Sequence, residues 1–147
     1  MAGAMGGATA MGLGLALSRP DKRVLVVTGD GELLMNIGTL STVGILKPSN
    51  LSILCVDNGH YGETGYRESH TQRGVDLELI AQGSAIPVTR TVSIDEHINE
   101  AKALIRDSNG PSFILLRVST EPPPVIKRSM DASERKTAFR RALLGKP

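Results

Sequence analysis

Two side chains with oxygen ligands follow apolar segments of this sequence, at positions where they could bind a metal ion. Asp30 lies in a Gly-Asp-Gly turn directly after the apolar run 24–27, and Asn58 follows a second apolar run, 51–56. Mg²⁺ takes oxygen ligands and typically bridges one or two protein groups to phosphate oxygens. Asp30 and Asn58, with a backbone carbonyl from the loop at 59–62, would supply such ligands.

The turn around Asp30 also predicts an anion site. A helix-like pattern follows it at once, so the N–H groups near Gly31 and Glu32 would lie at a helix N-terminus. A bare Asp30 carboxylate would repel a phosphate there, and a cation between the two removes the repulsion. The Walker A pattern is absent. The glycines at 3, 6, 7, 12 and 14 have two equally good explanations. One is close packing of a helix, and the other is a dinucleotide-binding motif.

Apolar strand-like runs and helix-like patterns alternate along the chain and would position these groups. Apolar runs without polar alternation, separated by helices, are typical of a parallel sheet covered on both faces. We therefore expect an α/β doubly wound fold, with ligands at the carboxyl ends of the strands. The predicted strands are 23–28, 51–56, 88–92 and 112–118. The predicted helices are 6–18, 32–46, 94–107 and one beginning at Asp76, with a long loop at 57–73.

Length and composition indicate one domain. The chain has 147 residues, of which 40% are hydrophobic, and we place a single domain at 1–120. The segment 121–147 begins with Glu-Pro-Pro-Pro and is predicted to be a Pro-rich linker followed by a C-terminal helix from 131 to 144. The formal net charge of +2 does not favour nucleic acid as a partner.

The cysteine count and the hydropathy pattern indicate where in the cell the protein is located. The single cysteine, Cys55, excludes an internal disulfide and is expected to be a small buried hydrophobe in a strand. No positively charged segment precedes the apolar N-terminal stretch, and no apolar run approaches the roughly 20 residues needed to span a bilayer. We predict a cytoplasmic protein with no membrane partner.

Two long stretches carry a family resemblance. "GDGELLMNIGTLSTVGILKPSNLSILCVDNGHYGETG" and the preceding "AMGGATAMGLGLALSRPDKRVLVVTGDG" resemble the diphosphate-binding (C-terminal) domain of thiamine diphosphate-dependent enzymes. The resemblance covers about residues 1–120 and implies a thiamine diphosphate-binding fold. "DNGHYGETG" and "SHTQRGVDL" are similar to the subgroup of sulfopyruvate decarboxylase beta subunits and phosphonopyruvate decarboxylases.

The resemblance implies a role for each matching residue. Asp30 and Asn58 correspond to the side-chain ligands of Mg²⁺, and His60 stands where a backbone carbonyl completes the metal site. Gly31 and Glu32 correspond to residues whose backbone N–H groups bind the diphosphate.

Further positions match the parts of the family that surround the cofactor. Met5 corresponds to the bulky apolar residue that holds thiamine diphosphate in its bent shape, and Gly3 to a backbone carbonyl contact with the aminopyrimidine. The other positions expected at the cofactor are Gly29, Tyr61 and Gly62. One departure is Asp57, where the family usually has Asn at a position that is not a required ligand.

The resemblance also implies a partner. In the family, a glutamate that activates the cofactor lies on a pyrimidine-binding domain, usually of another subunit. We expect a hetero- or homo-oligomer in which a pyrimidine-domain subunit supplies this glutamate. The family's first strand and helix have no counterpart before Met5, so the sheet is expected to lack its N-terminal strand.

The implied activity is decarboxylation of a small 2-oxoacid, and the 147-residue chain is expected to be inactive alone. His60 and His70 are candidates for a proton-transfer role. Alternatives stay open at this point: an acetolactate-synthase-like carboligase subunit, a non-catalytic nucleotide- or phosphate-binding module, or a domain that serves only in assembly.

Overall fold

The computed structural model describes residues 5–121, 129 and 131–145. Four parallel strands form the main sheet in the order β1–β2–β6–β5, and two short strands form an antiparallel hairpin. The strands are β1 (Val24–Gly29), β2 (Leu51–Asp57), β3 (His60–Tyr61), β4 (Arg67–Glu68), β5 (Val88–Val92) and β6 (Ser112–Arg117). The helices are α1 (Ala8–Ser18), α2 (Asp30–Leu34), α3 (Thr39–Leu46), α4 (Leu77–Gly83), α5 (Ile98–Asp107) and α6 (Ala132–Leu144).

Helices cover both faces of the sheet, as the sequence predicts. Alternate residues of β6 point to opposite faces: Phe113 packs in a core with α1, α3 and α4, and Ile114 packs in a second core with α5. Both side chains are fully buried. The α/β class with a mostly parallel sheet is therefore confirmed.

The predicted helix at 32–46 is two helices. α2 ends at Leu34, and Met35–Gly38 forms turns in which N–H groups bond the carbonyl three residues back. Asn36 donates its side-chain amide to the Gly6 carbonyl at 3.1 Å, a contact with the segment before α1. Asn36 and Gly38 have low helix propensity, so interrupting the helix at this point costs little free energy.

Two other predicted segments contain additional structure. The predicted loop at 57–73 contains the hairpin β3–β4 and a 3₁₀ turn, Thr71–Arg73. The predicted helix at 94–107 begins with a separate 3₁₀ turn, Asp95–His97. The helix predicted to begin at Asp76 is α4, and Asp76 is its N-cap, because its carboxylate accepts hydrogen bonds from the N–H groups of Glu78 and Leu79.

The two glycines of α1 differ in their surroundings, because Gly12 faces the sheet and Gly14 does not. A Cβ at Gly12 would lie 2.1 Å from Cγ2 of Val26 in β1, whereas a Cβ at Gly14 would have no atom within 4 Å. Close packing on the sheet therefore requires Gly12. At position 14 a larger residue would also fit.

These two glycines give a matched test of the packing. We expect Gly12→Ala to lower the free energy of unfolding by about 1–3 kcal/mol, because the buried Val26 has no room to yield. Gly14→Ala should raise it by about 0.5–1 kcal/mol through helix propensity. Urea denaturation of both variants measures the difference, and equal effects would contradict the packing of α1 on β1.

Candidate functional site

A cavity of about 560 Å³ opens at the carboxyl ends of β1 and β2. All the sequence-predicted cofactor residues that the structure describes line it, although they come from three separate segments. They are Met5, Gly29, Asp30, Gly31, Glu32, Asn58, His60, Tyr61 and Gly62. Gly3 lies outside the described residues.

Strand register explains why Asp30 and Asn58 meet. Gly29 of β1 pairs with Val56 of β2, so the residues that follow the two strands leave the same edge of the sheet side by side. Parallel strands place their carboxyl ends together, which brings distant sequence positions to one site.

The Asp30 carboxylate is almost fully buried, with 2% of the residue exposed. Its Oδ2 accepts a hydrogen bond from the Ser69 hydroxyl, and the Thr71 hydroxyl lies 3.3 Å from the same oxygen. A carboxylate removed from water needs such donors, because an unpaired buried charge is strongly unfavourable.

Asn58 and His60 form a tight local turn on the cavity wall. Asn58 Oδ1 accepts a hydrogen bond from the His60 backbone N–H at 2.9 Å, and His60 Nδ1 lies 2.9 Å from the Asn58 carbonyl. The His60 ring also stacks on Tyr66. A carboxamide oxygen has two lone pairs, so Oδ1 can keep this bond and still accept a metal ion.

The Glu32 side chain has a structural role that sequence reasoning missed. Its two carboxylate oxygens accept hydrogen bonds from the Ala8 N–H, at 3.0 Å, and from the Thr28 hydroxyl. Ala8 is the first residue of α1, so Glu32 satisfies a free N–H group at that helix end and joins α1 to β1.

Gly31 allows Tyr61 to form part of the cavity wall. A Cβ at this position would lie 2.5 Å from two ring carbons of Tyr61, so any other residue would displace the ring. Gly29, two residues earlier, precedes the first turn of α2, whose N–H groups have no partner within the helix.

His70 does not line the cavity, and its proton-transfer role stays a prediction from the sequence. It is exposed, and its Nδ1 lies 3.4 Å from the hydroxyl of Tyr61. The side chains of its neighbours, Ser69 and Thr71, instead point inward to the buried carboxylates of Asp30 and Asp57.

A second buried carboxylate lies beside the first. Asp57 Oδ1 accepts hydrogen bonds from the Gly59 N–H at 2.9 Å and from the Thr71 hydroxyl at 2.7 Å. Its Oδ2 has no hydrogen-bond partner among the described residues, and the guanidinium of Arg117 lies 3.7 Å away. Within the described chain, no three His, Cys, Asp or Glu side chains cluster to hold a metal.

Cys55 lies in β2 below these carboxylates and is fully buried. Burial, together with the nearby carboxylates of Asp30 and Asp57, raises the pKa of its thiol. The thiol therefore stays protonated and packs as a small hydrophobe, as its strand position predicts.

Ser69 and Thr71 are the functional candidates that sequence reasoning missed. They lie 39 and 41 residues from Asp30 in a segment with no local pattern that indicates burial. Other cavity residues were also missed: Ala8, Val27, Thr28, Val56, Glu63, Thr64, Val118, Ser119 and Glu121. Only the fold brings them to this edge of the sheet.

A known protein-family model matches most of this chain. The C-terminal TPP binding domain of the thiamine pyrophosphate enzymes matches residues 1–116. This chain belongs to that family. The match spans both strand ends of the cavity, Asp30 and Asn58, and the resemblance drawn from the sequence is confirmed.

Two relatives are decarboxylases of this family. The sulfopyruvate decarboxylase subunit beta of Methanocaldococcus jannaschii is 38% identical over 144 residues, which cover 92% of this chain and 76% of the relative. The phosphonopyruvate decarboxylase of Streptomyces viridochromogenes is 36% identical over 118 residues, covering 80% of this chain but 29% of the relative. The chain thus spans less than a third of that enzyme.

A solved structure has the same fold. The thiamine diphosphate-dependent 4-hydroxybenzoylformate decarboxylase of Rhodococcus jostii RHA1 superposes with a TM-score of 0.69 at 22% sequence identity. The superposition covers 80% of this chain and 24% of that one.

Among the described helices, none has the length and apolar character to cross a membrane. The cytoplasmic location stays a prediction from the sequence.

The contact between Gly31 and Tyr61 can be tested without any ligand. We expect Gly31→Ala to lower the free energy of unfolding by about 1–3 kcal/mol, because the added methyl group meets the ring. In a Tyr61→Ala background the same change should cost much less. Gly38→Ala, where a Cβ would have no atom within 4 Å, is the control. Equal costs in both backgrounds, measured by chemical denaturation, would show that the ring is not the obstacle.

Proposed function

We propose that this chain is the Mg²⁺-dependent, thiamine diphosphate-binding subunit of a 2-oxoacid decarboxylase of the sulfopyruvate or phosphonopyruvate type. The observation that carries the proposal is the juxtaposition of Asp30 and Asn58 in one cavity at adjacent strand ends. Both relatives described above are named for decarboxylation of a 2-oxoacid with a further acidic group.

The donor set suits Mg²⁺ and a diphosphate. Mg²⁺ is usually bound by one or two protein oxygen ligands together with phosphate oxygens and water, rather than by a cage of carboxylates. Asp30 supplies one carboxylate and Asn58 one neutral oxygen, which agrees with the absence of a larger acidic or His/Cys cluster in the described chain. The backbone carbonyl of His60 is the proposed third protein ligand.

The residues of this chain would hold and orient the cofactor. Asp30 and Asn58 bind Mg²⁺, and the backbone N–H groups of Gly31 and Glu32 donate to the diphosphate. Met5, on the cavity wall, supports the bent conformation. When bound, thiamine diphosphate supplies the electron sink for loss of CO₂ from a 2-oxoacid.

A partner subunit completes the proposed site. The Glu32 carboxylate, which faces the cavity, is already bonded to Ala8 and Thr28. We infer that a pyrimidine-domain subunit supplies the glutamate that activates the cofactor, in a hetero-oligomer. The name of the archaeal relative, a subunit beta, supports this inference, as does the greater length of the Streptomyces enzyme.

Removal of the Asp30 carboxylate tests the metal site. We expect Asp30→Ala to weaken Mg²⁺-dependent thiamine diphosphate binding at least about 100-fold. This exceeds the loss of metal affinity that is typical when a residue behind a metal ligand is substituted. Isothermal calorimetry with and without Mg²⁺ measures the effect. Asp95→Ala removes an exposed carboxylate that does not line the cavity, and it should leave the affinity unchanged. Retained binding in Asp30→Ala, or ATP binding that is independent of Asp30, would instead favour a nucleotide- or phosphate-binding module.

The dependence on a partner gives a separate prediction. The purified chain should not release CO₂ from sulfopyruvate or phosphonopyruvate, because the activating glutamate is supplied in trans. Co-purification with the pyrimidine-domain subunit should restore CO₂ release in a coupled assay. Turnover by the chain alone would contradict the partner requirement, and acetolactate formation from pyruvate would identify a carboligase.

A further inference from the structure

Two hydroxyl groups are buried between two carboxylates behind the proposed metal site. Ser69 is 1% exposed and Thr71 5%, and they contact Asp30 and Asp57, which are equally enclosed. The Ser69 hydroxyl bonds Asp30 Oδ2, the Thr71 hydroxyl lies 2.7 Å from Asp57 Oδ1, and the two hydroxyl oxygens are 2.9 Å apart.

Each of the two hydroxyls donates its hydrogen to a different carboxylate. A Ser or Thr hydroxyl donates a single hydrogen, and an ionised carboxylate only accepts. Thr71 lies closer to Asp57, at 2.7 Å, than to Asp30, at 3.3 Å, so its proton goes to Asp57. The Ser69 proton goes to Asp30, with which it makes the shorter of the two Asp30 contacts.

The contacts on Asp30 are one-sided. Both hydroxyl contacts are made to Oδ2, and Oδ1 takes no part in them. They restrain the carboxylate orientation while leaving Oδ1 for another ligand. Because Asp30 lines the cavity, a metal ion there would meet a carboxylate already oriented.

Ser69 also contacts the segment that carries the second proposed ligand. Its backbone N–H donates to the Gly59 carbonyl at 2.7 Å, next to Asn58. Through its side chain and its main chain, Ser69 thus joins the end of β1 to the end of β2. Thr71 has no corresponding role toward Asn58 in the described contacts.

From this arrangement we infer that Ser69 is a positioning residue for the metal site. It orients the Asp30 carboxylate and holds the Asn58 segment beside it, whereas Thr71 serves Asp57. The inference rests on the proposed function, since it concerns the same Mg²⁺ ion. Hydrogen bonds to metal ligands typically contribute 10–100-fold to metal affinity.

The test is a calorimetric titration of the full chain with Mg²⁺ in the presence of excess thiamine diphosphate. We expect Ser69→Ala to weaken the apparent Mg²⁺ affinity about 10–100-fold. Ser69→Thr, which keeps the hydroxyl, should recover most of the loss. Should Ser69→Ala prove unfolded, Ser69→Cys keeps the volume with a much weaker donor and replaces it.

Ser112→Ala is the matched control. Ser112 is fully buried, donates to Ser52 at 2.9 Å, and lies at the start of β6, at the opposite end of the sheet from the cavity. Its loss removes a buried hydroxyl without touching Asp30, and the Mg²⁺ affinity should not change. Hydrogen exchange of residues 58–74 is a second readout: Mg²⁺ with cofactor should protect this segment in the wild type and less so in Ser69→Ala.

The outcomes separate this inference from the proposed function. A wild-type chain that shows no Mg²⁺-dependent cofactor binding, either alone or together with the pyrimidine-domain subunit, overturns the proposed function and the inference together. Wild-type binding with unchanged affinity in Ser69→Ala overturns the inference alone. Equal weakening in Ser69→Ala and Ser112→Ala also overturns it, because the effect would then follow from stability and not from Asp30.

Discussion

The buried carboxylate of Asp30 is the feature on which the rest of the site depends. A charge taken out of water is costly unless hydrogen bonds or an opposite charge compensate for it. Here the compensation comes from the loop after β2, whose Ser69 hydroxyl points inward and donates to Asp30, while the Thr71 hydroxyl donates to the neighbouring Asp57. The same inward turn leaves the intervening residue His70 on the surface. The inward side chains of a loop that is distant in sequence thus supply hydrogen bonds to two desolvated carboxylates, Asp30 and Asp57.

A second consequence concerns Asp57. The loop that satisfies Asp30 must also satisfy this neighbouring carboxylate, and one hydroxyl is available for each. The Gly59 N–H and the Arg117 guanidinium supply the remaining stabilisation of Asp57. The substitution of Asp for the family's usual Asn therefore fits a position that faces donors and a cation, rather than the cavity.

The cavity itself is held by contacts between separate elements. Glu32 connects the first turn of α1 to Thr28, and Asn36 connects the turn after α2 to Gly6. The first contact fixes Ala8 against the end of β1, and the second fixes Gly6 against the turn after α2. The cavity wall is thus supported by the side chain of Asn36 and by that of Glu32, a residue for which the sequence predicted only a backbone contribution.

The sequence alone determined the α/β class, most element bounds, the family and the two proposed metal ligands, because these depend on local patterns: apolar runs, breaker residues and a short motif with fixed spacing. Tertiary structure decided the rest. The break between α2 and α3, the carboxylate contacts of Glu32, the outward position of His70 and the pairing of Ser69 with Asp30 all depend on contacts between residues far apart in the chain. No local pattern encodes such contacts, since they exist only once parallel strands bring their carboxyl ends to one edge and desolvate what lies there.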